Sequence, residues 1–324
     1  MYRVLITDEM IKDSAAFSKE MKDEGIDDNL RELVLEPVNE QLNLEPYTNY
    51  LNAIADNYEH ILQLLPSQFD SEQNSFAQYA INLNEKFYNR NGNETFFYDL
   101  VISYMRYYKS ARKKMLPYLE KYGFNTCVYC NAAEGDVDHY YDKATYPFLC
   151  TSFFNLVPCC SSCNGKGKKA NRKICFYPYI EKKQLSKVKK NPFEFVFDIK
   201  NMGEVCKNKD DIKFVFEEKE WMGDKCPYGQ ATERKSYKDI FKIEASYKKK
   251  RNFVQDVLND DRFQDYWQNK TASAVSGGRL KPEPEEKKKI NILRVESLNY
   301  EDVHKRELMK FLLDLGKYIG FIPK

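Results

Sequence analysis

The stretch Cys127-Val-Tyr-Cys130 … Asp138-His139 … Asn155-Leu-Val-Pro-Cys-Cys160-Ser-Ser-Cys163-Asn164 decides how this sequence is read. Two Cys-x-x-Cys pairs, with 29 residues between them, offer four thiolates to one tetrahedral ion. Zinc accepts that donor set, and a two-residue spacer lets both thiolates of a pair face the same metal. A redox Cys-x-x-Cys needs no second copy. Cys127, Cys130, Cys160 and Cys163 are therefore expected to hold a structural Zn²⁺, whose binding free energy stabilises a loop-rich unit with little apolar core. Cys159 competes with Cys160 for one slot but lacks the spacing to Cys163, and it reads as a packing residue. Cys150 and Cys175 are secondary ligand candidates, while the isolated Cys206 and Cys226 read as buried packing residues.

Between the pairs lies a polar set. Asp138 and His139 are adjacent, Asn155 follows sixteen residues after the His, and Asn164 comes directly after the last Cys. A carboxylate and a neutral amide oxygen suit a hard cation such as Mg²⁺ or Mn²⁺. A His outside the metal shell suits general-base work, because its ordinary pKa lies near neutral pH.

Outward from this stretch, charge is unevenly spread. The total is +2, yet residues 1–100 carry 19 acidic and 7 basic side chains, a net of −12, and the remainder carries +14. From Asn164 to Lys190 ten Lys or Arg, among them Lys166, Lys168, Lys169 and Arg172, face a single acid, Glu181. Such density beside the candidate site is an electrostatic footprint for a phosphate backbone. No base-reading module is evident, so backbone contacts without sequence specificity are expected.

The flanks divide by periodicity. Residues 47–65 and about 94–121 recur at helical spacing, with Pro66 as a stop, which makes 1–112 an acidic helical region. Phe193–Ile199 and Ile212–Phe216 alternate apolar with polar residues and predict a strand hairpin. Helical periodicity follows over 236–267 and 300–318, and residues 269–289, poor in bulky apolar side chains, read as a mobile loop. The expected architecture is α+β and helix-rich, with regions 1–112, 113–181 and 182–324. His60 and His304 are assigned no chemistry.

These residues resemble the HNH nucleases, whose fold is the ββα-metal finger. The resemblance covers roughly 124–180 and includes both Cys pairs, Asp138-His139, Asn155-Leu-Val-Pro, and Cys163-Asn164 followed by Lys166 and Lys168. Tyr146-Pro147 and Tyr177-Pro178-Tyr179 extend it. It implies that Asp138 and Asn164 hold the catalytic divalent ion. His139 would deprotonate the attacking water, and Asn155 would fix the loop carrying His139 through backbone hydrogen bonds. The helix opened by the second Cys pair would carry Asn164, and the products would be 5′-phosphate and 3′-hydroxyl ends. Two departures stand out: Asn164 occupies the third position instead of His, and Asp142-Lys143 replaces the Pro-Lys of many relatives, with Lys143 retaining the basic position. Asp136 reads as a turn acid or an auxiliary ligand. The layout looks closer to nuclease subunits of bacterial antiphage systems, including the Septu type, than to compact homing enzymes. It implies DNA as substrate and an ATPase as protein partner, docked through the acidic front.

Composition narrows the class. With 42% hydrophobic and 15% aromatic residues the chain is too apolar for disorder, and no run approaches the roughly 18 to 20 apolar residues of a membrane span. The opening residues lack the pattern of a signal peptide, and nine cysteines without one suggest a reducing, cytoplasmic setting. The rival to a DNA endonuclease is a non-catalytic zinc-binding module that recruits nucleic acid or protein, and RNA cleavage is a third possibility.

Overall fold

Thr7 starts the first helix: its hydroxyl accepts from the Met10 amide at 3.2 Å, with Asp8 and Glu9 in the first turn and Lys19 and Lys22 in the last, complementing the helix dipole. The computed structural model describes residues 3–133, 135–168, 177–186, 192–200, 202, 204–218, 237–276, 286–295, 297–300, 303 and 306–323. In chain order the front comprises β1 (Val4–Leu5), α1 (Asp8–Lys22), α2 (Ile26–Arg31), α3 (Glu45–Asp56), α4 (Tyr58–Gln63) and α5 (Phe69–Ala77). A hairpin of β2 (Lys86–Tyr88) and β3 (Glu94–Phe96) then leads into α6 (Phe97–Tyr104), a π-helical turn at Tyr107–Ala111, and α7 (Arg112–Lys121).

The single helix expected over 47–65 is broken at Asn57, whose side-chain amide donates to Ala53 O at 2.9 Å and competes with the helical ladder. The helix expected over 94–121 is likewise interrupted. Residues 94–96 pair with β2, and Arg106 takes a left-handed conformation (φ 53°) between α6 and the π-turn.

The Cys-rich centre holds β4 (Asp136–His139) and β5 (Leu156–Cys159), paired antiparallel with Asp138 opposite Val157 and His139 opposite Leu156. Next come a π-helical segment at Ser162–Lys168 and β6 (Tyr179–Ile180). β6 pairs in parallel with β1, which stitches the beginning of the chain to the far side of the centre.

Beyond it, β7 (Phe193–Ile199) and β8 (Ile212–Glu218) form the expected hairpin, with Phe195 opposite Phe216 and Phe197 opposite Phe214. Their buried faces alternate with exposed positions, as the sequence pattern demands. The periodicity over 236–267 is realised as α8 (Tyr237–Ile240), α9 (Ile243–Lys248), α10 (Arg251–Leu258) and α11 (Asp261–Ser276). These are followed by α12 (Glu286–Leu293) and α13 (Met309–Ile319). The last helix begins at Met309, not near residue 300, with Leu308 left-handed at φ 64°. Phe311 of α13 packs edge-on against Phe195 and Phe214, with centroids 4.9 and 5.0 Å apart.

The mobile loop expected over 269–289 requires correction. Residues 269–276 continue α11 and 286–289 open α12, whereas 277–285 lie outside the described residues. Low apolar content there signals exposure, and exposure is compatible with helix: Lys270 lies over the Tyr266 and Trp267 rings, and the Thr271 hydroxyl bonds back to Trp267 O. The architecture among the described residues is α+β and helix-rich, with four two-stranded sheets. No helix among them is long and apolar enough to cross a membrane.

Candidate metal centre and polar site

The first Cys pair sits on a tight knuckle. Cys127 N bonds Ala132 O, Asn131 N bonds Cys127 O, and Asn131 closes the turn with φ 56°, a conformation that Asn tolerates better than most residues. The Asn131 side chain, 1% exposed, ties the knuckle to the end of the chain by donating to Val303 O at 2.7 Å and accepting from Lys310 N at 3.0 Å. Tyr247 and Tyr237 donate to the carbonyls of Cys130 and Tyr129. The helices after β8 therefore clamp the loop that carries two of the thiols.

The second pair follows β5, and the four sulfurs of Cys127, Cys130, Cys160 and Cys163 lie within 4.8 Å of one another. Cys130 Sγ is 3.7 Å from Cys160 Sγ. A tetrahedron with Zn–S bonds of about 2.3 Å has edges of about 3.8 Å, so the observed spacing fits that ion. The thiols act on one another accordingly. Neighbouring S–H groups donate to Cys160 and hold it far below the ordinary thiol range, and a bond from Cys127 lowers Cys130 as well, whereas Cys163, hydrogen-bonded to the other three sulfurs, is pushed far up and Cys127 is raised by burial. The cluster therefore favours some thiolates and opposes four together, a conflict that a bound dication would relieve. Such a cluster could bind a metal such as zinc. It is the one group of three or more His, Cys, Asp or Glu ligand atoms gathered this closely among the described residues. Cys150 and Cys159 are buried away from it, and Cys150 Sγ faces Met105 Sδ at 3.7 Å. Cys175 lies outside the described residues.

The polar set lies on and around the β4–β5 pair. His139 Nε2 is 2.9 Å from Cys150 O, a group that can only accept, so Nε2 carries the proton and Nδ1 is the nitrogen able to take one. The ring is 6% exposed and is covered on one side by Tyr107, whose centroid lies 4.3 Å away. Tyr107 is itself fixed by its hydroxyl to Val137 O. Asp138, also 6% exposed, accepts from the Tyr129 hydroxyl at 2.7 Å. Burial, and then the charge of Asp138, push the Tyr129 phenol well above its usual pKa.

Asn155 is fully buried and bridges two loops. Its Oδ1 accepts from Tyr141 N at 2.7 Å, and its Nδ2 donates to Tyr141 O and to Leu149 O at 3.1 and 2.9 Å. Asn164 stands in the helical segment after Cys163, and its Nδ2 donates at 2.6 Å to Asp136, not to the Asp138 carboxylate. Strand alternation explains the partner, because Asp136 and Asp138 occupy the same face of β4. Arg112 completes the cluster, 3.0 Å from the other Asp136 oxygen. Asp136 therefore stands in a strand beside Asn164 and Arg112, not in a turn. Two carboxylates and an amide oxygen are donors that Mg²⁺ accepts.

Lys143 lies over the rings of Tyr107 and Tyr108 at 5.2 and 4.1 Å and contacts the Tyr108 hydroxyl. Lys166 and Lys168 belong to the Ser162–Lys168 segment, while Lys169 and Arg172 lie outside the described residues. The sequence reading missed Tyr107 and Tyr129, which no local signal announces, and offered Arg112 only as one cation on the basic side of a helix able to lean on phosphates. No protein-family model, curated protein or solved structure matches this chain.

Proposed function

We propose that this chain is a zinc-stapled, divalent-metal-dependent endonuclease of the HNH type acting on DNA. The observation that carries the reading is the order strand, strand, helical segment. β4 bearing Asp138-His139 pairs with β5, and β5 runs directly into the Cys160–Cys163 knuckle and the segment bearing Asn164. A ββα-metal finger would have the same order of elements, which is what supports the reading.

In this mechanism Asp138 and Asn164 would hold the divalent ion, with Asp136 beside them. Such an ion would supply charge stabilisation at the scissile phosphate and the departing 3′ oxygen. His139, with Nε2 committed to Cys150 O, accepts the proton of the attacking water at Nδ1. The Tyr107 ring holds the imidazole plane from one side. Asn155 positions it indirectly by fastening the chain just after His139 to the loop at Leu149. Arg112 balances the Asp136 charge, a part that a bound cation would share. A role in antiphage defence would place an ATPase at the acidic front, where the −12 charge of residues 1–100 favours a protein surface over most of its area.

One observation favours a second reading, a zinc-bound module that recruits nucleic acid without cutting it: His139 and Asp138 are both buried and already hydrogen-bonded. Incubation of supercoiled plasmid with purified protein and Mg²⁺ or Mn²⁺ separates the two. The endonuclease reading expects nicking that His139→Ala and Asn164→Ala abolish. Full cleavage by His139→Ala, or none by the zinc-loaded wild type with its partner present, removes it.

A further inference from the structure

The acidic front contains a basic cavity. A volume of about 550 Å³ opens between α2, the turn of the β2–β3 hairpin, α6 and the π-turn. Its lining includes three cations, Arg90, Arg106 and Lys109, against one carboxylate, Asp99. Arg90 is organised in advance: its Nε donates to the Tyr104 hydroxyl at 2.9 Å and its guanidinium lies 4.5 Å over that ring. Neither terminal nitrogen of Arg90 has a partner among the described residues, so the fork that recognises phosphate is open. Lys109 has no ion pair among the described residues, whereas Arg106 sits 3.6 Å from Glu24. The amides of Asn29 and Asn91 on the walls add neutral donors and acceptors.

Along the chain, four consecutive residues lead from the cavity to the His139 site. Arg106 and Lys109 line the cavity, Tyr107 packs on the His139 ring, and Tyr108, 61% exposed, carries Lys143 on its face. Cations beside an exposed aromatic ring hold a single strand, base against ring and phosphate against cation, and Tyr108 is the exposed ring here. We propose that this cavity binds a phosphate-bearing nucleotide unit of the nucleic-acid strand that crosses Tyr108 from the His139 site, an inference that rests on the nucleic-acid reading above. The front is then bifunctional: acidic overall, but equipped with its own strand contact.

The test is fluorescence anisotropy of a fluorescein-labelled oligothymidylate with the full chain, zinc-loaded and without Mg²⁺. Wild type is compared with Arg90→Ala/Lys109→Ala and with a charge-matched control, Lys12→Ala/Lys19→Ala, whose lysines are exposed on α1. Circular dichroism verifies that all three are folded. Losing two phosphate contacts is expected to weaken binding about tenfold and to reduce the slope of log affinity against log salt by about 1.4. The control keeps the wild-type slope. Equal slopes and affinities for the two double variants overturn the proposal. Binding of ATP but not of the oligonucleotide, lost in the Arg90 variant, also overturns it by making the ligand a free nucleotide. Plasmid nicking is scored separately. Strand binding lost in the variant, with no nicking by wild type, removes the nuclease reading and leaves the cavity assignment. Nicking abolished by His139→Ala, with strand binding unchanged in the variant, does the opposite.

Discussion

Replacing Asn155 by alanine tests how the centre is held together, independently of any activity. The side chain satisfies three backbone groups, Tyr141 N, Tyr141 O and Leu149 O, at 2.7, 3.1 and 2.9 Å, in a position with no solvent exposure. Each buried group left without a partner costs about 1–3 kcal/mol; Leu149 O keeps its bond from Ser152 N at 3.1 Å, the two Tyr141 groups lose theirs, and about 3–5 kcal/mol is expected for the set. For a chain of this length the melting temperature falls by roughly 2 °C per kcal/mol, giving a drop of about 6–10 °C. Asn155→Asp should be at least as damaging, because it turns two donors into an acceptor aimed at two carbonyls. Asn91→Ala, on the exposed hairpin turn, should stay within about 0.5 kcal/mol of wild type. Scanning calorimetry measures the melts, and hydrogen exchange at the Tyr141 amide reports the local effect. If Asn155→Ala melts with wild type and the Tyr141 amide keeps its protection, the bridge does not hold this loop and the reasoning fails.

Three further outcomes follow from the geometry. Metal analysis of protein purified without chelator should find about one zinc per chain, and Cys163→Ser should lose it together with the near-ultraviolet dichroism of the surrounding aromatics; full folding after the metal is stripped would contradict this. Lys310→Met should cost about 3–5 kcal/mol, because it strands the buried Asp314 carboxylate that also accepts from Phe195 N and Tyr300, and urea melts showing less than about 1 kcal/mol would refute it. Burial pushes the Asp13 carboxyl up, but hydrogen bonds from Lys121 and Tyr122 outweigh it and leave its pKa below the ordinary aspartate value. A depressed carboxylate contributes stability above the unfolded pKa of about 4, lost as pH falls through the folded value. Asp13→Asn should therefore be less stable than wild type by under about 1 kcal/mol at neutral pH and converge with it in acid, and a constant gap across the titration would refute the assignment.

The sequence by itself determined the features that depend on near neighbours. The two-residue Cys spacers were enough to anticipate a four-thiol cluster, since each pair shares one knuckle and only their meeting is a long-range event. The alternation in residues 193–199 and 212–216 was enough for the hairpin, because period two leaves a single face to bury. Helix ends were less legible. Asn57, Arg106 and Lys242 interrupt runs whose apolar spacing continues across them, because a side-chain amide or a left-handed residue breaks the ladder without disturbing the pattern. The stretch 269–276 failed for the converse reason, since an exposed helix needs no apolar stripe.

Tertiary structure alone decided who meets whom around the polar set. Asn164 reaches Asp136 because strand pleating puts Asp136 and Asp138 on one face, and Arg112 arrives from a helix that precedes the Cys knuckle. Tyr107 covers His139 only because the chain turns through a π-helix after a left-handed Arg106, an event that no local periodicity announces. Charge followed the same division. The −12 of residues 1–100 is read by counting, but the basic cavity at their end is not, because Arg90 and Lys109 are nineteen residues apart and come together only when the β2–β3 hairpin folds back against α6. Spacing within a turn is encoded by bonds a few residues long, whereas a site built from four separate elements exists only once the core has fixed their distances.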